Sequence, residues 1–307
     1  MGKIIVIGSL NMDLVVNTPR IPNLGETIHG EGFMTAPGGK GANQAVAASR
    51  LGGEVTMAGC VGGDIFGDSL INNLAANGVN TENIMRIKEV PTGIAVIVVK
   101  DGDNFIILDS GANYSVTPEW IDSLEPVIRS CDIMLLQLEI PMASVRKAVQ
   151  AAKRNGVKVL LNPAPAASLD DGLLSQIDII TPNESECGII TGLSIKSVQD
   201  AEKGIEYFLQ KGVKQVVVTL GSKGVIYNNE DKILYKPVHE VKVIDTTAAG
   251  DSFSGALAVA LTDNKSIDRA VDFANTVGSL TVTKRGAQVS LPMLEEVERF
   301  ISNDHNI

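Results

Sequence analysis

Short apolar runs alternate with longer amphipathic stretches along most of the chain. Residues 3–8, 54–60, 131–138, 157–161, 177–181 and 215–219 are compact Val/Ile/Leu-rich runs, the pattern of strands buried on both faces. Between several of them, residues 67–77, 141–155, 183–191 and 197–211 carry apolar positions at helical spacing. Strand and helix in alternation predict an α/β fold. It is a three-layer α/β/α domain over a mostly parallel central sheet with right-handed crossovers, one unit over residues 1–307. Two stretches break the rhythm. Residues 14–37 are short apolar pieces cut by Pro19, Pro22, Gly25, Gly30 and Gly32, and residues 93–110 read as two β-runs around the turn Asp101-Gly102-Asp103-Asn104. Both are expected to leave the main domain and pair into a small β-sheet lid over a site or at a dimer surface.

A last apolar run, 241–244, is read as a strand end. It leads through the small-residue turn Asp245-Thr246-Thr247-Ala248-Ala249-Gly250-Asp251 into a helix marked by Phe253, Ala256, Leu257, Ala260 and Leu261.

Composition sharpens this picture. With 44% hydrophobic but only 4% aromatic residues, the core must be built from small aliphatics. A net charge of −10 argues against nucleic acid or an anionic membrane as partner. No run reaches a membrane span, and Met1-Gly2-Lys3-Ile4 leads directly into a strand without a signal-peptide layout, so a cytoplasmic protein is expected. Cys60, Cys131 and Cys187 are read as buried thiols, and His29, His239 and His305 have no metal-ligand spacing.

The candidate chemistry lies at strand ends, where open α/β sheets bind ligands. Ala248, Ala249 and Gly250 have almost no side chain, so their N–H groups at a helix start suit an anion. Asp251 is then either a base for a hydroxyl nucleophile or the helix N-cap. Asn11 and Asp13 follow the first strand and are either contacts for a polar small molecule or turn formers. Gly38-Gly39-Lys40-Gly41-Ala42-Asn43-Gln44 is not a phosphate loop of the Walker type, because Gly41 follows the lysine. Lys40 and Asn43 suit hydroxyl binding, or the stretch is a plain glycine-rich loop. Gln137, Glu139 and Asn162 close two further strands. Asn183 and Glu186 are a helix cap with an acid in the first turn, or a phosphate contact and a ligand to hydrated Mg²⁺. The turn Thr219-Leu220-Gly221-Ser222-Lys223-Gly224 either accepts a nucleotide or joins two strands. Phosphoryl transfer from a nucleotide to a hydroxyl would use such an assembly, since it needs mainly positioning and charge neutralisation.

These motifs resemble the ribokinase family of carbohydrate kinases, from Gly8-Ser9-Leu10-Asn11-Met12-Asp13 through the Gly38–Gln44 stretch, Asn162-Pro163-Ala164-Pro165-Ala166 and Thr181-Pro182-Asn183-Glu184 to the 245–255 turn. The resemblance implies ATP-dependent phosphorylation of D-ribose at its 5-hydroxyl, Mg²⁺ with the ATP, activation by K⁺, and a homodimer clasped through the lid. It implies Asn11, Asp13, Gly39, Lys40, Asn43 and Glu139 as sugar contacts, Asp251 as catalytic base, and Ala248, Ala249 and Gly250 as the anion hole. Asn183, Thr219, Gly221, Ser222, Gly224 and Gly250 would meet the nucleotide, and Asn275 stands where members often carry a histidine near the base. Glu186 would lie by the Mg²⁺. Asp245, Thr247, Thr281, Lys284, Gly286 and Ser290 would hold the K⁺, mostly through backbone carbonyls.

Two other readings stay open. One is a sibling kinase for fructose, deoxyribose or a nucleoside. The other is a non-catalytic sugar sensor on the same fold, since fold alone does not separate the classes.

Overall fold

The computed structural model describes residues 2–100 and 103–304. Met1, His305 and the first half of the expected 101–104 turn lie outside the described residues. The strands are β1 (Lys3–Ile7), β2 (Asn11–Asn17), β3 (Glu31–Gly38), β4 (Glu54–Gly62), β5 (Asn80–Ile87), β6 (Gly93–Lys100), β7 (Asp103–Asp109), β8 (Ile133–Leu136), β9 (Lys158–Leu161), β10 (Ile179–Ile180), β11 (Gln215–Thr219), β12 (Val225–Asn229) and β13 (Lys232–Lys236). The helices are α1 (Lys40–Arg50), α2 (Ile65–Ala76), α3 (Pro118–Ser123), α4 (Glu125–Ile128), α5 (Met142–Arg154), α6 (Asp171–Leu174), α7 (Glu184–Thr191), α8 (Val198–Gln210), α9 (Ala249–Thr262), α10 (Ile267–Thr281) and α11 (Leu294–Asp304).

Nine strands form one sheet in the order β13-β12-β11-β10-β9-β8-β1-β4-β5. It is parallel from β5 to β11, and only β12 and β13 enter as antiparallel neighbours. Alternation along each strand sorts side chains onto two faces. Ile4 and Val6 pack with residues of α1, α2, α9 and α10, whereas Ile5 and Ile7 pack with residues of α3, α5 and α8. The result is the three-layer α/β/α arrangement that the alternation predicts.

The two irregular stretches pair outside this sheet. β3, β2, β6 and β7 make a separate four-stranded sheet in that order, with β2 and β6 parallel over Asn11 to Asn17. β2 begins at Asn11, three residues before the predicted insertion, so the small sheet starts at the candidate site itself.

Three expectations need correction. The run 241–244 is not a strand: Ile244 and Asp245 instead donate backbone N–H bonds to the Val282 carbonyl, and Val243 and Ile244 stay exposed. Val241 and Val243 line a cavity wall and not a sheet. Cys131 is only half-buried, because its strand begins two residues later, at Ile133. The predicted strand at 177–181 contracts to Ile179–Ile180, though Asp178 and Thr181 on either side still make backbone bonds to β9, and Asp178 to β11 as well.

Candidate active site

The strand order reverses about β1, with β4 and β5 on one side and β8 to β13 on the other. Connections diverging from that point leave a crevice beyond the carboxyl end of β1. Asn11 and Asp13 leave for the small sheet at this place, and α1 starts against it. Gly41 permits the approach, since a Cβ there would sit 2.6 Å from the Ser9 nitrogen. Gly39, at φ 88°, turns the chain into the helix.

The Asn11 side chain accepts a hydrogen bond from Asn113 Nδ2 at 2.7 Å. Asn113 also brackets the Leu10 backbone, donating to its carbonyl and accepting from its N–H. It arrives from a 3₁₀ turn a hundred residues away and is not among the predicted site residues. Asp13 lies against Gly38, where a Cβ would come within 2.5 Å of its carboxylate. Burial pushes the Asp13 carboxyl up to about 7, and the Glu139 and Asp251 charges add to it. Glu139 accepts from the Ser9 hydroxyl and from the Lys40 backbone N–H at 3.1 Å; burial raises its carboxyl as well. The Asp251 carboxylate, more than Glu139 and Glu186, holds the Lys40 ammonium above its ordinary value against the cost of burial.

Asp251 is not the helix cap. The N-cap of α9 is Ala248, in the left-handed region at φ 60°, ψ 10° and without a side-chain cap, and Asp251 sits inside the first turn. It is 6% exposed, and both carboxylate oxygens are engaged. Oδ2 accepts from Asn43 Nδ2 at 2.9 Å and Oδ1 from Gln44 Nε2 at 3.2 Å. The first bond within the helix runs from Ser252 N to the Ala248 carbonyl, so the N–H groups of Gly250 and Asp251 precede the ladder. A cavity of about 190 Å³ opens there, lined by Ala248, Ala249, Gly250 and Asp251 from α9 and by Lys40, Asn183 and Glu186 from across the crevice.

A second cavity of about 800 Å³ adjoins it, sharing Asn183, Thr219, Thr246, Ala249, Gly250 and Phe253. Its farther walls are the Gly221-Ser222 turn, Gly224, Val243 and Asn275. Asn275 donates its amide to the Pro237 carbonyl at 2.7 Å, which anchors this wall. Asn183 and Glu186 form a reciprocal capping box at the start of α7. Burial nonetheless raises the Glu186 carboxyl, its backbone partner and Lys40 only partly offsetting this.

Beyond α9, the loops 245–247 and 281–290 are tied together. Asp245 accepts from the Thr247 N–H and hydroxyl and from the Gly286 N–H at 2.9 Å. Burial opposes its charge, but these bonds outweigh it and hold the carboxyl below its ordinary range.

A cradle of helix N–H groups with a buried carboxylate behind it, between a small polar chamber and a larger, more apolar one, has the layout of a site that passes an anionic group between two small molecules. The chain belongs to the pfkB family of carbohydrate kinases, whose model matches residues 1–294. It is 44% identical over 299 residues to a ribokinase of Haemophilus influenzae, covering 97% of this chain and 98% of that one. It is 36% identical over 301 residues to a deoxyribokinase of Salmonella typhi, with 97% and 98% covered. Among solved structures, the ribokinase of Arabidopsis thaliana complexed with ribose and ATP superposes with a TM-score of 0.92 at 35% identity, covering 97% of this chain and 98% of that one.

Proposed function

We propose that the chain transfers the γ-phosphoryl group of ATP to the 5-hydroxyl of D-ribose, giving ribose 5-phosphate and ADP. The observation that carries this reading is the buried Asp251 carboxylate, held at both oxygens beside the N–H groups that open α9 and near enough to Asp13 for its charge to act there. The sugar lies against Asn11, Asp13, Gly39, Lys40, Asn43 and Glu139, of which Lys40 lines the smaller cavity. Asp251 receives the proton of its 5-hydroxyl as the oxygen attacks. The Ala248–Gly250 turn takes up the charge of the phosphoryl group in transit, and Lys40 adds a cation on the opposite wall. The nucleotide fills the larger cavity, with the Gly221-Ser222 turn, Gly224 and Asn275 around its base and Asn183 and Thr219 toward its phosphates.

The residues fit Mg²⁺ that arrives on the triphosphate. Among the described residues no group of three or more His, Cys, Asp or Glu could hold a metal by itself, and Glu186 offers one carboxylate on the cavity wall, as Mg²⁺ sites that keep most of their waters require. When bound, the ion neutralises phosphate charge.

The 245–290 loops fit K⁺ by a similar test. Lys284 is drawn to Glu296 at 2.7 Å, the Ser290 hydroxyl is spent on the Ala287 carbonyl, and the Thr281 hydroxyl on Val277 and Ser252. The oxygen donors would be backbone carbonyls of these loops, with the Asp245 carboxylate, itself tied to Thr247 and Gly286, beside them. Rates should rise in potassium over tetramethylammonium at matched ionic strength, and equal rates would remove the cation from the scheme.

The deciding assay is ADP release from Mg-ATP with D-ribose, set against deoxyribose, fructose and adenosine. Preference for ribose supports the reading. Preference for another acceptor keeps Asp251 and its cradle but reassigns the sugar chamber. Sugar binding without ADP release would establish the sensor.

A further inference from the structure

Asn43 and Gln44 hold the two oxygens of Asp251, and both are held in turn from behind. Gln288 Nε2 donates to Asn43 Oδ1 at 3.2 Å, and Asn73 Nδ2 donates to Gln288 Oε1 at 2.5 Å. On the other side Gln137 Nε2 donates to Gln44 Oε1 at 2.6 Å. Along these links the amide hydrogens point toward Asp251 and the oxygen accepts from the amide farther out; Gln44 Nε2 also donates to Asn162 Oδ1 at 3.1 Å. Such a chain polarises in one direction, each donor strengthening the next. It also fixes which way the Asn43 and Gln44 amides face, and a flip of either would turn an oxygen against the carboxylate.

One end of the network carries a cost. Gln137 is fully buried, and its Oε1 has no hydrogen-bond partner. It is packed beside Gly8, where a Cβ would lie 2.0 Å from that oxygen. A buried polar atom without a partner destabilises the fold, so a methionine of similar shape would serve packing better. The amide is accounted for by what its nitrogen does for Gln44.

We infer that Gln137 and Gln288 are positioning residues for phosphoryl transfer, which act through Gln44 and Asn43 to hold the Asp251 carboxylate in line with the attacking hydroxyl. The inference rests on the kinase reading above. It also ties the 284–290 loop to the reacting centre, since Gln288 lies two residues from Gly286 and from Ser290.

Gln137→Met in the full chain is the first test. It should lower kcat about ten- to a hundredfold, the scale of small misplacements at a reacting centre. KM for Mg-ATP should stay within twofold, and the melting temperature should change little, because relief of the unpaired Gln137 Oε1 offsets the bond lost at Gln44 Oε1. An amide with a purely structural task would do the opposite, losing melting temperature and keeping kcat. Gln288→Met should lower kcat likewise in the wild-type background but cost less than twofold further in an Asn43→Ala background, because the group it acts through is gone. A kcat within twofold of wild type for Gln137→Met, or an equal fold loss for Gln288→Met in both backgrounds, overturns the proposal. If the wild-type chain turns over none of the sugars, the kinase reading fails, and the side-chain amide protons of Gln44 and Asn43 decide the relay. Their protection from exchange should fall in Gln137→Met and Gln288→Met respectively, and unchanged protection overturns it.

Discussion

Single carboxylates dominate the chemistry of this site, and they differ in task. Replacing Asp251 by Asn removes the proposed proton acceptor but keeps the side chain's size. Turnover should fall by about 10²- to 10⁴-fold, with sugar affinity changed only a few-fold; steady-state kinetics beside calorimetric sugar binding checks both. Asp13 illustrates the cost of readiness. Its carboxyl is raised from 3.8 to about 7 by burial and by the neighbouring acids, so the sugar-free fold favours its protonated form. The stability this lends is complete below about pH 4 and is lost as the pH rises through about 7. Asp13→Asn should therefore flatten the decline in melting temperature between pH 5 and pH 8 and leave the variant more stable than wild type at pH 8, at the expense of sugar binding. Thermal scans at the two pH values measure it. Substituting Asn113, which no local pattern marks, would loosen Asn11, because its two ends clamp the Leu10 backbone.

At the scale of elements, glycine placement decides how closely the site's parts approach. The β11–β12 connection is the clearest instance. Gly224 takes φ 109°, ψ −145°, and a Cβ there would be 2.1 Å from the Lys236 carbonyl. Gly224→Ala must strain the turn or push β13 away, at a cost of about 1–3 kcal/mol. It should lower the melting temperature and raise KM for ATP while leaving sugar binding intact. Differential scanning calorimetry and nucleotide titrations separate the two effects. Gly250 behaves differently, because a Cβ there would meet nothing within 4 Å. Its value lies in keeping the cavity open to a ligand and not in the backbone. Several elements escaped the hydrophobic pattern for a physical reason. β5 is a half-exposed edge strand of mixed polarity, Asn-Thr-Glu-Asn-Ile-Met-Arg-Ile, so it lacks the run of apolar residues that marks a strand buried on both faces. The run 241–244 misleads in the opposite sense, since Val241 and Val243 line a cavity.

For the whole molecule, the four-stranded sheet is the part left least covered. Phe33 and Ile107 are each 68% exposed, and Phe105, Ile106 and Leu108 about half-exposed or slightly more. Apolar exposure on this scale marks an interaction surface, which supports a second copy of the chain as its cover and the sheet as a lid at the crevice mouth. The wild-type chain should sediment as a dimer and Ile107→Glu as a monomer with its fold intact. A wild-type monomer at micromolar concentration would remove the dimer from the picture.

By itself the sequence determined the layering, because buried parallel strands and amphipathic helices announce themselves through local periodicity. It also determined the small-residue turn before Asp251 and the glycine-rich start of α1, whose chemistry lies in consecutive residues. Tertiary structure alone decided what these pieces do to one another. The cap reading of Asp251 fell because Ala248 occupies the N-cap, and the small sheet depends on β2 pairing with β6 some eighty residues later. Gln288 and Asn113 look like ordinary loop residues along the chain. They acquire roles only because hydrogen bonds spanning 245 and 102 residues bring them to Asn43 and Asn11, and no local pattern encodes a contact between partners that far apart.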